Sequence, residues 1–580
     1  MSALPVDGSV PVDGSVRGDV LPSTIQTALY PTSVYPSGVP RELEIPQFPA
    51  WGLLARAAAE VPNRVATQFL NDQKTYREID EAATRLANWL QRHGVGSGDR
   101  VGILLPNSPE YLIALNGVWR AGGVVVAISP LSVADEVASL VELTDCRTII
   151  CLDVLGGLLK NCDGVEQTLM TSLYDYLPSL GRLGYLAARW HRTGRMLQLS
   201  DECHHWFWEA VRVSGLELTP VETLPQVDPA YILSTGGTTG NPKAVTLSHR
   251  NIVANAWQQM HWAGATMGEE TMLAVLPFFH SYGMSTMLAS GAALGATLVM
   301  QPRYHTLRAL QAIERHRPTV FHAVPAMLAA MNQTLRTTKI DLSSLKWVIS
   351  GGASLPVAVG QEFAMHSGAL VVEGYGLSEA SPVTHVGPLD GSNVAGSMGL
   401  PLPSTHCRIM DMETGTRELD VEQVGELAVK GPQVMLGYWN NPSATESSIR
   451  DGWLFTGDLA FRDQAGFYRI VDRKKDLIIT SGFNVYPADV EETLRNCPDI
   501  ADVAVVGVPD AERGELVKAC VVLRKGVAWN QARLDKFCKE KMAAHRRPKL
   551  WEHLPHDLPR NFLGKVIRRQ LRESSGGNHV

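Results

Sequence analysis

The sequence predicts an α/β protein, with a large N-terminal α/β domain built on several sheets and a small α+β C-terminal domain. Three observations carry this. From residue 46 onward, short apolar runs alternate with helical segments, the pattern of parallel strands covered by helices on both faces. A chain of 580 residues is too long to bury a single core. The rhythm also changes after the charged string 472–476 (DRKKD), where a smaller unit begins.

The elements follow in order. The hexapeptide PVDGSV occurs at 5–10 and again at 11–16. Its Pro, Asp, Gly and Ser content predicts a disordered extension over 1–45. The large domain is expected over 46–472. Within it, Ala50–Ala59 and Thr75–His93 read as helices, Arg100–Leu105 as a strand and Pro109–Ala121 as a helix. The run 122–128 (GGVVVAI), Thr148–Leu152, Thr297–Met300, Val320–Val324 and Trp347–Ser350 read as buried strands. Met284–Met300 is rich in Gly, Ser, Thr and Ala, and reads as a buried helix and strand rather than a membrane span. Residues 165–215 break the alternation with leucines, aromatics and arginines at helical spacing. They are expected to be a helical insertion. A helical pair packed on the core is the favoured form, and an amphipathic surface touching a membrane or an acyl chain is the alternative. In the small domain, 473–580, Ile500–Asp510 and the string VKACVVLRK read as strands and Gln531–Ala544 as a helix.

Composition excludes some classes. A net charge of −7 gives no general attraction to nucleic acid. The eight cysteines include no CxxC pair, which points to reduced thiols in a cytoplasmic protein. No basic start followed by an apolar core marks a secretory signal.

The chemistry-bearing strings lie between these elements. Ser234-Thr235-Gly236-Gly237-Thr238-Thr239-Gly240-Asn241-Pro242-Lys243 combines three glycines, four hydroxyls and a lysine. Such a loop converges amide N–H groups, hydroxyls and a positive charge on phosphate oxygens, and it also fits a plain surface turn. His280 sits among aromatics in LPFFHSYGM. Gly351 and Gly352 follow a short strand in SGGASLP, and Glu373, Gly374, Tyr375, Gly376, Ser378 and Glu379 follow another. Asp458 lies in GWLFTGDL and Lys565 in RNFLGK. Each has an ordinary structural role open to it: a core histidine, a helix cap, a turn former, a surface lysine. Together they supply phosphate donors, one carboxylate for Mg²⁺, one for a ribose diol and a late lysine. Ligands of open α/β sheets collect at strand carboxyl ends, so these turns are expected to face one crevice.

The set resembles the adenylate-forming acid–thiol ligases, the superfamily of acyl-CoA synthetases, adenylation domains and firefly luciferase. STGGTTGNPKAV is similar to its phosphate loop, YGLSE to its Tyr-Gly-x-Thr-Glu motif and TGD to its ribose motif. DRKKDLIITSGFNVYPADVE resembles its hinge and LPRNFLGK its terminal lysine motif. The resemblance spans roughly residues 46–575, and GPQVMLGYW, VDRKKD and SGFNVYP look most like bacterial long-chain fatty acyl-CoA synthetases. It implies ATP-dependent activation of a medium- or long-chain fatty acid to acyl-AMP and then a thioester, with Mg²⁺ and CoA. Transfer to the arm of an acyl carrier protein is the alternative. A non-catalytic nucleotide or acyl binder fits the full residue set less well. By position it implies that 234–243 hold the ATP phosphates, Glu379 binds Mg²⁺ and Ser378 lies near the AMP phosphate. Asp458 would take the ribose hydroxyls, Arg473 the ribose or phosphate, and Lys565 would bridge carboxylate and α-phosphate. Gly351, Gly352, Glu373, Gly374, Tyr375 and Gly376 would line the adenine and acyl pockets, with His280 beside the acyl carboxylate. Lys475 would be the hinge, and Gly482 and Phe483 would face CoA after the small domain rotates. Ala244 and Ser378 depart from the family's usual Gly and Thr, and the string 545–548 (HRRP) is more basic than usual.

Overall fold

The computed structural model describes residues 35–193, 203–235, 243–510, 512–561 and 564–573. Two mixed sheets form the bulk of the large domain. One has eight strands, with Val124–Ala127, Arg100–Leu104 and Thr148–Leu152 running parallel at its centre. The other has nine, in which Thr271–Ala274, Val320–Ala323, Trp347–Ser350 and Leu370–Gly376 run parallel side by side. Their central strands are buried on both faces, which is why they read as unbroken apolar runs. One apolar core joins the two sheets, through helices such as Tyr76–Arg92 and Pro109–Ala121. Local chemistry sets the ends of both helices. Thr75 and Glu78 form a reciprocal capping box. Pro109 opens the second helix, and Gly122, at φ 91°, closes it in the left-handed conformation.

A third sheet of five strands, including Trp453–Arg462 and Tyr468–Arg473, completes the large domain. The chain then enters a separate sheet that begins at Ile478–Thr480 and pairs Ile500–Asp510 with Gly514–Leu523. Helices Pro487–Arg495 and Gln531–Lys541 contribute to an independent apolar core there.

Three expectations need comment. Residues 165–215 are not simply helical. Gln167–Thr171 and His204–Trp206 extend the eight-stranded sheet, and helices Ser179–Thr193 and Phe207–Val213 accompany them. The strands are too short for their alternation to stand out beside the leucine-rich helix. Residues 35–45 pack on the large domain rather than outside it. Leu43 N–H donates to Ser404 Oγ at 2.8 Å, Ser404 N–H to Arg41 O at 2.7 Å, and Ile45 is buried. The PVDGSV repeat lies outside the described residues. Residues 284–300 form a buried π-helical turn, a short helix and a strand. Among the described residues, no helix is long and apolar enough to cross a membrane. All eight cysteines are unpaired, and all but Cys203 are buried.

Several glycines are held by close backbone contact, among them Gly376 beside the strand-end turns. A Cβ on Gly376 would stand 2.1 Å from the carbonyl oxygen of Pro382. Gly376→Ala is expected to destabilise the protein by about 3 kcal/mol, as overpacking against rigid backbone does. A thermal melt checks it.

Candidate functional site

The carboxyl ends of the parallel strands Trp347–Ser350 and Leu370–Gly376 lie side by side, with Ser350 opposite Glu373. The turn leaving the first carries Gly351 and Gly352, and the last residues of the second are Tyr375 and Gly376. Gly352 adopts φ 79°, open to glycine at little cost. A third-sheet strand brings Asp458 to the same place, paired in register with Arg473. Tyr375 donates its hydroxyl hydrogen to Asp458 Oδ2 at 2.7 Å, and Arg473 Nε stands 3.2 Å from Oδ1. Burial and the Asp458 carboxylate push the Tyr375 phenol well above its ordinary pKa, so it stays a donor.

Lys565 reaches this cluster from the small domain. Its turn is closed by Asn561, whose carbonyl accepts from Gly564 N–H at 2.8 Å and whose Oδ1 accepts from Lys565 N–H at 2.9 Å. Gly564 has φ 79°, and a Cβ there would meet the Ala326 Cβ at 3.1 Å, so the turn abuts helix Pro325–Leu335 of the large domain. Burial, and next the Arg473 charge, lower the Lys565 ammonium to about 8, while Asp458 pulls the other way. Lys475 is lowered by the same two causes. Arg473, Lys475 and Lys565 outnumber Asp458, while nearby Asp476 is paired with Arg572, so surplus positive charge remains in a part-buried cleft, where it attracts an anion strongly.

A second group flanks the first. The Ser378 and Ser281 hydroxyls lie 3.0 Å apart. His280 Nδ1 accepts from Tyr282 N–H at 3.1 Å, and burial lowers the ring to about 4. The imidazole is therefore neutral, with its proton on Nε2. Glu379 Oε1 accepts from the Tyr438 hydroxyl at 2.9 Å, and the Lys243 ammonium lies 4.6 Å from the centre of the Tyr438 ring. Tyr438 thus ties the end of the 234–243 hairpin to Glu379. No group of three metal-ligating side chains occurs among the described residues. A single carboxylate fits Mg²⁺, which keeps water and takes other ligands from phosphate.

From Gly351, Gly352, Gly374 and Tyr375 a mainly apolar channel runs back beneath the nine-stranded sheet, past Ile349, Val320 and Met272. Tyr282 lines it and donates its hydroxyl hydrogen to Ile349 O at 3.2 Å.

The structure therefore gathers Tyr375, Asp458, Arg473, Lys475 and Lys565, with the strand-end glycines beside them. Ser234 pairs with Ala244 at the base of the hairpin. Gly236, Gly237, Thr238, Thr239 and Gly240 lie outside the described residues, as does the side chain of Thr235. The Glu373 carboxylate has a local partner. Its Oε2 accepts from Leu355 N–H at 3.0 Å, which holds the turn after Ser350 in place. Gly482 and Phe483 are not brought to the cluster: Phe483 is exposed and stacks on His545, ring centres 4.8 Å apart. In the basic string beside it, Arg547 donates to Met542 O and Arg546 pairs with Asp489. Sequence reasoning missed Tyr438, although GPQVMLGYW contains it. It also missed the channel, whose walls come from strands far apart in sequence.

Comparison with known proteins agrees with this geometry. The family described as "AMP-binding enzyme" matches residues 54–439, and "AMP-binding enzyme C-terminal domain" matches 489–565. A long-chain-fatty-acid–CoA ligase of Bacillus subtilis is 39% identical over 94% of this chain and 98% of its own. The ligase of that name from Escherichia coli O157:H7 is 33% identical over the same shares. The crystal structure of ATP-bound MatB from Rhodopseudomonas palustris superposes with a TM-score of 0.79 at 29% identity, covering 91% of this chain and 99% of that one. With a family match over most of its length and full-length relatives at this identity, the chain belongs to the AMP-binding, adenylate-forming enzymes.

Proposed function

We propose that the protein activates a long-chain fatty acid with ATP, releasing pyrophosphate, and passes the acyl group from AMP to the thiol of CoA. The observation that carries this is the convergence of Lys565, Arg473, Asp458 and Tyr375 at the mouth of an apolar channel. The channel suits an alkyl chain, and the cations suit the carboxylate and phosphate that must meet. The names of the bacterial relatives support the substrate class.

In the first step a carboxylate oxygen bonds to the α-phosphorus and pyrophosphate leaves. Both reactants are anions, so the chain must offset their repulsion. Lys565 is assigned to bridge them, Asp458 to accept hydrogen bonds from the ribose diol, and Arg473 to hold Asp458 and the nucleotide. His280 offers its Nε2–H to the acyl carboxylate. Ser378 donates to the AMP phosphate. Glu379, positioned by Tyr438, would hold Mg²⁺, which shields the phosphate charge when bound. In the second step the CoA sulfur bonds to the acyl carbon and AMP leaves. Rotation of the small domain about Lys475 would withdraw Lys565 and bring Gly482 and Phe483 to the cleft. Their exposure here supports that assignment.

The test is purified protein with ATP, Mg²⁺, CoA and saturated acids of increasing length, reading pyrophosphate and thioester. No pyrophosphate with any acid overturns the proposal; a thioester formed only on a carrier-protein arm keeps the first step and changes the acceptor. Two further outcomes are expected. Lys565 acts protonated, so kcat/KM of the free enzyme should fall as pH rises through about 8. Lys565→Arg should remove that alkaline limb, because guanidinium keeps its proton. Tyr438→Phe should raise the Mg²⁺–ATP requirement roughly 10- to 30-fold, the effect of losing one hydrogen bond to a charged group.

A further inference from the structure

We propose that the Glu270–Lys346 ion pair is the floor of the acyl channel and sets the longest chain the protein accepts. This rests on the fatty-acid reading above and deepens it. The channel follows the strands from end to end. Gly351 and Gly352 line it at their carboxyl ends, while Glu270, Val320 and Trp347 line it at their amino ends. At about 3.3 Å per residue, Trp347 to Gly352 spans roughly 16 Å. That depth suits a long alkyl chain.

Glu270 is the one carboxylate among the described lining residues, which include no lysine or arginine; His322, midway along, is held neutral by burial. It directly precedes strand Thr271–Ala274, and Lys346 directly precedes Trp347–Ser350, with Val320–Ala323 between the two. Lys346 Nζ crosses this middle strand to Glu270 Oε1 at 2.8 Å. Thr319, just ahead of that strand, donates to the other carboxylate oxygen. The Glu270 backbone is fixed as well: its carbonyl accepts from Arg64 at 2.8 Å and from Thr297 N–H at 3.0 Å. The Glu270 side chain is 2% exposed and that of Lys346 is 49% exposed, so the pair is a single layer between channel and solvent.

This arrangement limits chain length. Each methylene that enters the apolar section improves binding roughly fourfold. A terminal methyl that reaches the floor meets a buried carboxylate already satisfied by Lys346 and Thr319. Going further would separate the pair and leave Glu270 buried without its partner, which is strongly unfavourable.

The experiment measures kcat/KM across a ladder of saturated acids, with the α,ω-dicarboxylic acids beside them, in the full chain. In the wild type the gain per methylene should stop at one length. In Glu270→Ala the stop should move to longer acids, and the ratio of the first acid beyond the wild-type limit to one short of it should rise about tenfold. Glu270→Ala also leaves Lys346 without its carboxylate. A diacid of the limiting length should then be preferred over the matching monoacid, a preference lost in the double variant with Lys346→Ala. A merely structural role for the pair would not produce that switch. Lys346→Ala alone, on the exposed side, should also lengthen the limit and covers the case in which Glu270→Ala does not fold. An unmoved limit in the variants that fold, with no diacid preference in Glu270→Ala, overturns the proposal. Failure of the fatty-acid reading is a different result: the wild type would activate no acid in the ladder.

Discussion

Lys565→Ala is expected to slow adenylate formation by about 10²–10³, the cost of removing one donor aimed at developing charge. The ammonium sits where burial and Arg473 already disfavour its charge, so water screens it poorly. An approaching carboxylate and phosphate reverse that penalty, and the interaction strengthens most where negative charge builds. The fold should not depend on this side chain. Its turn is closed by the Asn561 carbonyl, the Asn561 side chain and backbone N–H groups, all of which remain in the variant. The melting temperature should therefore hold while pyrophosphate release collapses. Supplying the acyl adenylate directly separates the two steps: thioester formation should be spared if the small domain carries Lys565 away before the thiol attacks. Equal loss of both steps would assign Lys565 a role common to both.

Asp458→Asn is expected to act twice. It removes a carboxylate that accepts from Tyr375 at 2.7 Å and pairs with Arg473 at 3.2 Å. Charged hydrogen bonds of this kind contribute about 2 kcal/mol, so nucleotide affinity should fall roughly 30-fold. The variant also removes the largest influence that raises the Lys565 pKa and leaves Arg473 and Lys475, which lower it, against the smaller pull of Asp476. The sign follows directly. With less negative charge nearby, Lys565 releases its proton at lower pH, so the alkaline limb of kcat/KM should move below its wild-type position near pH 8. A pH–rate profile of the variant, beside an equilibrium titration with AMP, reads both effects. A limb that stays in place would mean that a group other than Lys565 produces it.

Much of the fold was legible because burial leaves a simple trace. Thr148–Leu152 is buried at every position and reads as an apolar run, and Pro109–Ala121 is bounded by a proline and a glycine suited to helix ends. Residues 165–215 were read as helical because their strands are short, five and three residues, while the helix between them is long and has the stronger period. Residues 35–45 were grouped with the Pro-, Asp-, Gly- and Ser-rich repeat ahead of them; they hold to the domain through Tyr35, Val39, Leu43 and Ile45 on its core and through backbone and hydroxyl bonds that composition does not reveal.

The sequence by itself determined the alternating architecture, the presence of a smaller C-terminal unit and the residue types for an anionic reaction. Those follow from local spacing and side-chain chemistry, which neighbours in sequence carry. Tertiary structure alone decided what each residue meets. It gave the Glu373 carboxylate a hydrogen bond from Leu355 N–H, which braces the turn after Ser350. It set Tyr438 between Lys243 and Glu379, residues far apart in the chain. It closed a channel with Glu270 and Lys346. Such contacts arise because parallel strands distant in sequence align their ends, and that alignment is a property of the packed sheet rather than of any one segment.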